Sequence, residues 1–180
     1  MNKHFSLSIA GSIVLLISLA GCNLAEVEPE RIIYPGEIRR EMAPPHHEMA
    51  PPHEDARVDI AGHTVSGPRW MNADLYEGVV SVPAGVPFDV TVHTFASPKC
   101  QQVEPSDVEI AANEATIVVF DSWPGPPDDP PPCPAVEGFL PRTESVVFSE
   151  AGDAEVVVRG DRMGGGRHPY ELRFPVLVED

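Results

Sequence analysis

From residue 58 to the end, short runs of Val, Ile, Thr and Phe recur, cut by Gly, Pro, Asn or Asp. Within the runs, apolar and polar residues alternate with a period of two. Phe88, Val90, Val92 and Thr94 fall on one face, with Asp89, Thr91 and His93 on the other. Successive side chains of a strand point to opposite faces, so this is the pattern of a half-buried strand. Ala154, Val156 and Val158 repeat it, as do Leu172, Phe174, Val176 and Val178, where Pro175 marks an edge strand because it has no N–H to donate. Ile117, Val118, Val119 and Phe120 are apolar on both faces and predict a central strand. Strands are expected near 58–66, 76–82, 87–95, 106–111, 115–121, 143–149, 154–160 and 169–178, and no stretch here has a helical period. Seven or eight short strands in one domain of residues 58–180 predict an all-β, two-sheet sandwich.

The chain begins differently. A weakly basic start, Met1-Asn2-Lys3-His4, precedes an apolar or small stretch over residues 5–20, closed by Leu19-Ala20-Gly21-Cys22. Sixteen residues are short of the roughly 20 that span a bilayer, and the next charges are acidic, so residues 1–21 read as a signal peptide. The closing tetrapeptide resembles the lipobox of bacterial lipoproteins. That resemblance implies a diacylglyceryl group on the Cys22 thiol, cleavage before Cys22, and acylation of the new amino terminus with palmitate or a similar chain. Two or three chains hold firmly where one holds marginally. Because Asn23 rather than Asp follows the cysteine, the resemblance implies a cell-envelope protein that, in a cell with two membranes, sits on the outer rather than the inner one.

Residues 22–57 carry no sustained period and are expected to be a disordered, lipid-anchored linker, spanning about 35 Å as coil and at most about 110 Å when extended. It contains a heptad duplication. Residues 41–47 read Glu-Met-Ala-Pro-Pro-His-His and residues 48–54 read Glu-Met-Ala-Pro-Pro-His-Glu. Pro44-Pro45 and Pro51-Pro52 favour polyproline II. Met42, His46, His47, Met49 and His53 make a thioether and imidazole set of copper- or zinc-binding type. A short duplication copies whatever it contains, so linker is the first reading and metal handling the alternative.

Without residues 1–21 the chain has 11 basic and 28 acidic residues, a balance of −17. It repels phosphate backbones, so nucleic acid is not an expected partner. With Cys22 acylated, Cys100 and Cys133 are left, and in an oxidising compartment they are expected to form a disulfide, contributing roughly 3–4 kcal/mol in the chain-entropy model. Two fragments resemble immunoglobulin-like bacterial domains: Ser81-Val82-Pro83-Ala84-Gly85-Val86-Pro87-Phe88-Asp89-Val90-Thr91-Val92 as the entry into an early core strand, and Val146-Val147-Phe148-Ser149-Glu150-Ala151-Gly152-Asp153-Ala154-Glu155-Val156-Val157-Val158 as a late hairpin. The resemblance implies an immunoglobulin-like sandwich, but Cys133 lies in a loop, so the disulfide is not that family's inter-sheet pin. Such scaffolds serve adhesion, sugar binding, inhibition and spacing, so fold does not select function.

There is no G-x-S-x-G, H-E-x-x-H or phosphate loop, and no motif asks for a cofactor. His63, His93 and His168 are read as solvated or locally bonded, and Gly164-Gly165-Gly166 as a hairpin tip. The sequence therefore points to a non-enzymatic module. Residues 124–134 hold seven prolines and end beside Cys133, a stiff loop flanked by Trp123 with Asp128 and Asp129 inside it. Preorganised loops lose little entropy on binding. Trp123, Asp128 and Asp129 are therefore candidate contacts for an envelope protein or polysaccharide, with protease inhibition by the same loop as a second use. The plainer reading has Trp123 covering the sandwich edge. Titration of Cu(II) or Zn(II) into a peptide of residues 38–57 tests the metal alternative, which requires affinity tighter than millimolar.

Overall fold

The computed structural model describes residues 31–41, 53–68, 75–125, 132–133, 138–163 and 167–180. These residues form twelve strands and no helix. They are β1 (Arg31–Pro35), β2 (Glu37–Glu41), β3 (His53–Asp55), β4 (Arg57–Ile60), β5 (His63–Ser66) and β6 (Val80–Pro83), then β7 (Phe88–Ala96), β8 (Gln102–Ala111), β9 (Glu114–Pro124), β10 (Gly138–Val146), β11 (Gly152–Met163) and β12 (Arg167–Glu179). The all-β expectation holds. One layer runs β5-β4-β7-β10, all antiparallel. The other runs β8-β9-β11-β12-β6, in which β9/β11 and β12/β6 are parallel.

The alternation read from the sequence fills the core. Val90, Val92, Ile117, Val119, Val156 and Val158 are fully buried, and Phe88 meets Phe148 across the core with ring centroids 5.8 Å apart. Each such side chain contributes about 1.5–3 kcal/mol when removed from water. β9 is central as expected, pairing with β8, β1 and β11. Pro175 sits on the part of β12 that β6 leaves uncovered, since β6 pairs only with residues 176–179.

Two differences from expectation concern strand number and the linker. The expected strand at 58–66 is a hairpin, turning at Ala61 and Gly62, both with positive φ. Part of the expected disordered linker is folded. Residues 31–41 supply β1 and β2, with Ile38 fully buried, and residues 53–57 supply β3 and the start of β4. Backbone pairing carries these short strands: β1 lies on β9, β2 on β11, and β3 on β2. Residues 23–30 and 42–52 of the linker lie outside the described residues.

Residues 31–41 form a wedge with Gly36 at its apex. β9 and β11 pair side by side as far as Val118 and Arg159 and then part. β1 takes the freed edge of β9, and β2 takes that of β11. At the apex, the Gly36 N–H donates to the Val119 carbonyl at 2.8 Å and the Gly36 carbonyl accepts from the Asp161 N–H at 2.8 Å. β2 also bridges to β7 through Glu37 and Phe95, so the wedge joins the two layers. Both glycines at the fork are required by space. A Cβ on Gly160 would stand 2.3 Å from the Gly36 carbonyl oxygen, and one on Gly36 would stand 2.7 Å from Thr94 Cγ2.

Gly160→Ala must therefore push the wedge off the sheet, with an expected loss of about 3 kcal/mol or more. At Gly67, where an added Cβ meets nothing closer than 3.7 Å, Ala is expected to be close to neutral. Urea midpoints of the two variants check this; equal midpoints remove the close approach as a determinant of the fold.

Candidate binding groove at the sheet fork

Where the wedge enters, the sheet surface opens into a groove of about 420 Å³, lined by Pro35 of β1, Val118 of β9, Arg159, Gly160 and Asp161 of β11, and Pro169, Tyr170 and Glu171 of β12. Local sequence explains the opening. Pro35 and Pro169 have no N–H for a further strand. Val118 sits on the outer face because its neighbours Ile117 and Val119 take the core.

The charged groups of the groove are held by partners. Arg159 Nε donates to Glu171 at 3.3 Å, and Asp161, only 5% exposed, faces Arg167 at 3.6 Å. Arg167 also donates to the Pro35 carbonyl at 3.3 Å and lies 3.8 Å over the Tyr34 ring. The Tyr170 hydroxyl accepts from Arg39, whose guanidinium carbon is 4.8 Å from the Tyr170 ring. Glu171 is further bound by Arg173, and that hydrogen bond holds its carboxyl below the usual range. Arginines stacked on tyrosines and tied to carboxylates give the groove walls little freedom.

Behind the apex, inside the sandwich, lies a buried ion pair. Asp121 is fully buried, and Arg142 donates to it, to Thr94 at 2.9 Å and to the Phe120 carbonyl. Burial pushes the Asp121 carboxyl up, more than Arg142 and Thr94 pull it down. Its Oδ2 has no hydrogen-bond partner among the described residues. Gly36 covers that oxygen, since a Cβ there would stand 2.9 Å from it.

A second polar group lies on β4, β5 and β7. Arg57 Nε and Thr64 Oγ1 both donate to Asp59, the latter at 2.5 Å, and His93 Nε2 lies 3.3 Å from the same carboxylate. Burial raises the Asp59 carboxyl, but the bonds from Thr64 and Arg57 outweigh it and the net shift is downward. Burial lowers the His93 pKa more than Asp59 raises it, so the imidazole is neutral at pH 7. The Thr64 hydroxyl is committed to the carboxylate rather than to the imidazole, which is not the order that activates a nucleophile.

Of the residues singled out in the sequence, Cys100 and Cys133 are joined in a disulfide with Cα atoms 6.0 Å apart. Trp123 is half-buried near the end of β9, opposite Ile32, with its indole N–H buried and lacking an acceptor among the described residues. His53 begins β3, opposite Glu41. Cys22, Met42, His46, His47, Met49, Asp128 and Asp129 lie outside the described residues, as does Gly164-Gly165-Gly166. His63 stacks on Tyr76 at 4.4 Å, His93 bonds Asp59, and His168 is exposed at the start of β12, so the three do not converge. No cluster of metal-ligand type occurs among the described residues. The groove residues were not singled out in the sequence. Their only local signals are the breaks at Pro35-Gly36 and Gly160-Asp161 in otherwise regular strands.

No known protein family, characterised protein or solved structure matches this chain.

Arg142→Met leaves Asp121 buried without its counter-ion. An expected loss of about 3–5 kcal/mol at pH 7 follows. The raised folded-state pKa of Asp121 climbs further in the variant. The ionised form is then penalised above that pKa, and the penalty fades as pH falls through it. Denaturation at pH 7 and pH 4.5 should show the deficit shrinking in acid. A deficit of the same size at both pH values contradicts the assignment.

Proposed function

We propose that this chain is a lipid-anchored, non-enzymatic binding protein of the cell envelope, held to a membrane through acylated Cys22 and taking its ligand at the fork groove. The anchor is supported by the signal-like residues 1–21 and the lipobox resemblance of Leu19-Ala20-Gly21-Cys22. One observation carries the binding reading: a groove with mainly apolar walls whose charged groups are already paired. Such a site fixes a ligand by shape, a ring stack and a few polar contacts, with little reorganisation on binding. Its size suits one sugar unit or a short extended peptide segment, consistent with an envelope polysaccharide or protein as partner. The overall negative charge favours neutral or cationic ligands over polyanions.

Val118→Arg fills the groove from its outer face without touching the core. Capture from envelope extracts is expected to fall about tenfold or more, the cost of losing roughly 1.4 kcal/mol of contact. Trp123→Ala, outside the groove, should leave capture unchanged. Equal capture by wild type and Val118→Arg, both folded, excludes the groove; loss with Trp123→Ala alone moves the site to residues 122–136. Mass spectrometry of Cys22 in the same preparation reads the anchor independently.

A further inference from the structure

We infer that the sandwich stands on the membrane on its Arg31 end, with its strongly acidic opposite end facing away, an orientation that rests on the proposed acylation of Cys22. Folding of residues 31–41 into the sheet shortens the tether. Only the eight residues 23–30 separate Cys22 from Arg31. Nine Cα steps reach at most about 30 Å. As flexible coil they span about 16 Å. β12 alone has 13 residues, or about 43 Å of strand. The tether is thus shorter than the body it holds, and a body so held has one near end.

Strand pairing identifies that end. Arg31 lies opposite Pro124, and β9 runs parallel to β11, so the Met163–Arg167 pair that ends the β11–β12 ladder lies on the same side as Arg31. The turn between β8 and β9, the start of β11 and the end of β12 lie at the other end, where Gly152 pairs with Val178 and Glu179 with Pro83.

Charge divides along the same axis. Among the described residues, Arg31, Arg39, Arg40, Arg162 and Arg167 lie toward the Arg31 end with carboxylates that nearly balance them, as Arg31 with Glu104 and Arg40 with Glu37. At the far end, residues 84–90, 109–116, 144–155 and 176–180 hold nine Asp or Glu and no Lys or Arg. Arg173 reaches two of them, Glu114 and Glu155. An anionic headgroup surface repels the far end and tolerates the near one, so electrostatics and tether act together within a Debye length of about 8–10 Å. Glu26, Glu28 and Glu30 lie on the tether itself and are kept near the headgroups by the lipid.

The test uses full-length acylated protein in phosphatidylcholine–phosphatidylglycerol vesicles carrying a headgroup acceptor dye. A donor is attached at either of two exposed positions, by His168→Cys near the Arg31 end or by Glu150→Cys at the far end. With the labels about 35 Å apart along the strands, transfer from position 168 is expected to be about threefold more efficient. Insertion of about 20 Gly and Ser residues after Asn23 should bring the ratio toward one. Equal transfer from both positions in acylated protein with the native tether overturns the orientation while leaving the anchor intact. Unacylated Cys22 by mass spectrometry overturns the anchor reading, and the orientation with it.

Discussion

The approach of two backbones at the fork governs this sandwich. β9 and β11 begin as neighbours and end in different company, and a sheet that splits in this way leaves two unpaired edges inside a fold. Unpaired backbone groups away from water cost about as much as lost hydrogen bonds. The wedge of residues 31–41 satisfies both edges at once, because its two limbs run along β9 and β11. That is possible only if its apex reaches the point of divergence, where Gly36 and Gly160 carry no side chains. The bond from the Asp161 N–H to the Gly36 carbonyl, the buried Ile38 and the groove beside Gly160 all follow from that contact.

The buried Asp121–Arg142 pair is the polar counterpart of this contact. Such a pair gives weak evidence of stability, since apolar replacements of similar volume are often as good. Its geometry is more informative than its energy. Arg142 of β10 bonds a side chain and a carbonyl of β9 together with Thr94 of β7, so one guanidinium spans both layers next to the wedge apex. A shift of β9 relative to β7 and β10 would carry Asp121 and the Phe120 carbonyl away from that guanidinium and leave it buried without them, a far larger penalty than any gain from the native pair. The pair thus selects one arrangement of the layers.

Most of the body was legible in the sequence because period-two alternation reports burial on one face, and Phe88 to Thr94 and Ala154 to Val158 behave in that way. The Cys100–Cys133 disulfide was legible once Cys22 is read as the acylated cysteine, since the two that remain have one partner each. β1 to β3 were not. Arg31-Ile32-Ile33-Tyr34 is too short to show a period, Pro35-Gly36 cuts it, and β3 is held by backbone pairing that polar residues provide as well as apolar ones. The groove was illegible for a related reason. Pro35, Val118, Arg159 and Tyr170 lie on four strands, far apart in the chain, and only the fork brings them together. Trp123 drew attention as an aromatic beside a proline-rich loop; it is half-buried near the end of β9, opposite Ile32 of β1.

The same wedge bears on how the proposed anchor and groove work together. Pro35, a wall of the groove, follows Arg31 by four residues along β1, or about 13 Å of strand. A long linker would let the groove sample depths far from the lipid, as the sequence first suggested. With residues 31–41 folded into the sheet, the groove belongs to the half of the body nearer Arg31, which the proposed anchor would place toward the membrane. Its walls are set by ion pairs and by arginines stacked on tyrosines, so little ordering is left for the ligand to impose. In the proposed site, a ligand that engaged Arg159 or Asp161 as a free ion would first have to break a pair already made.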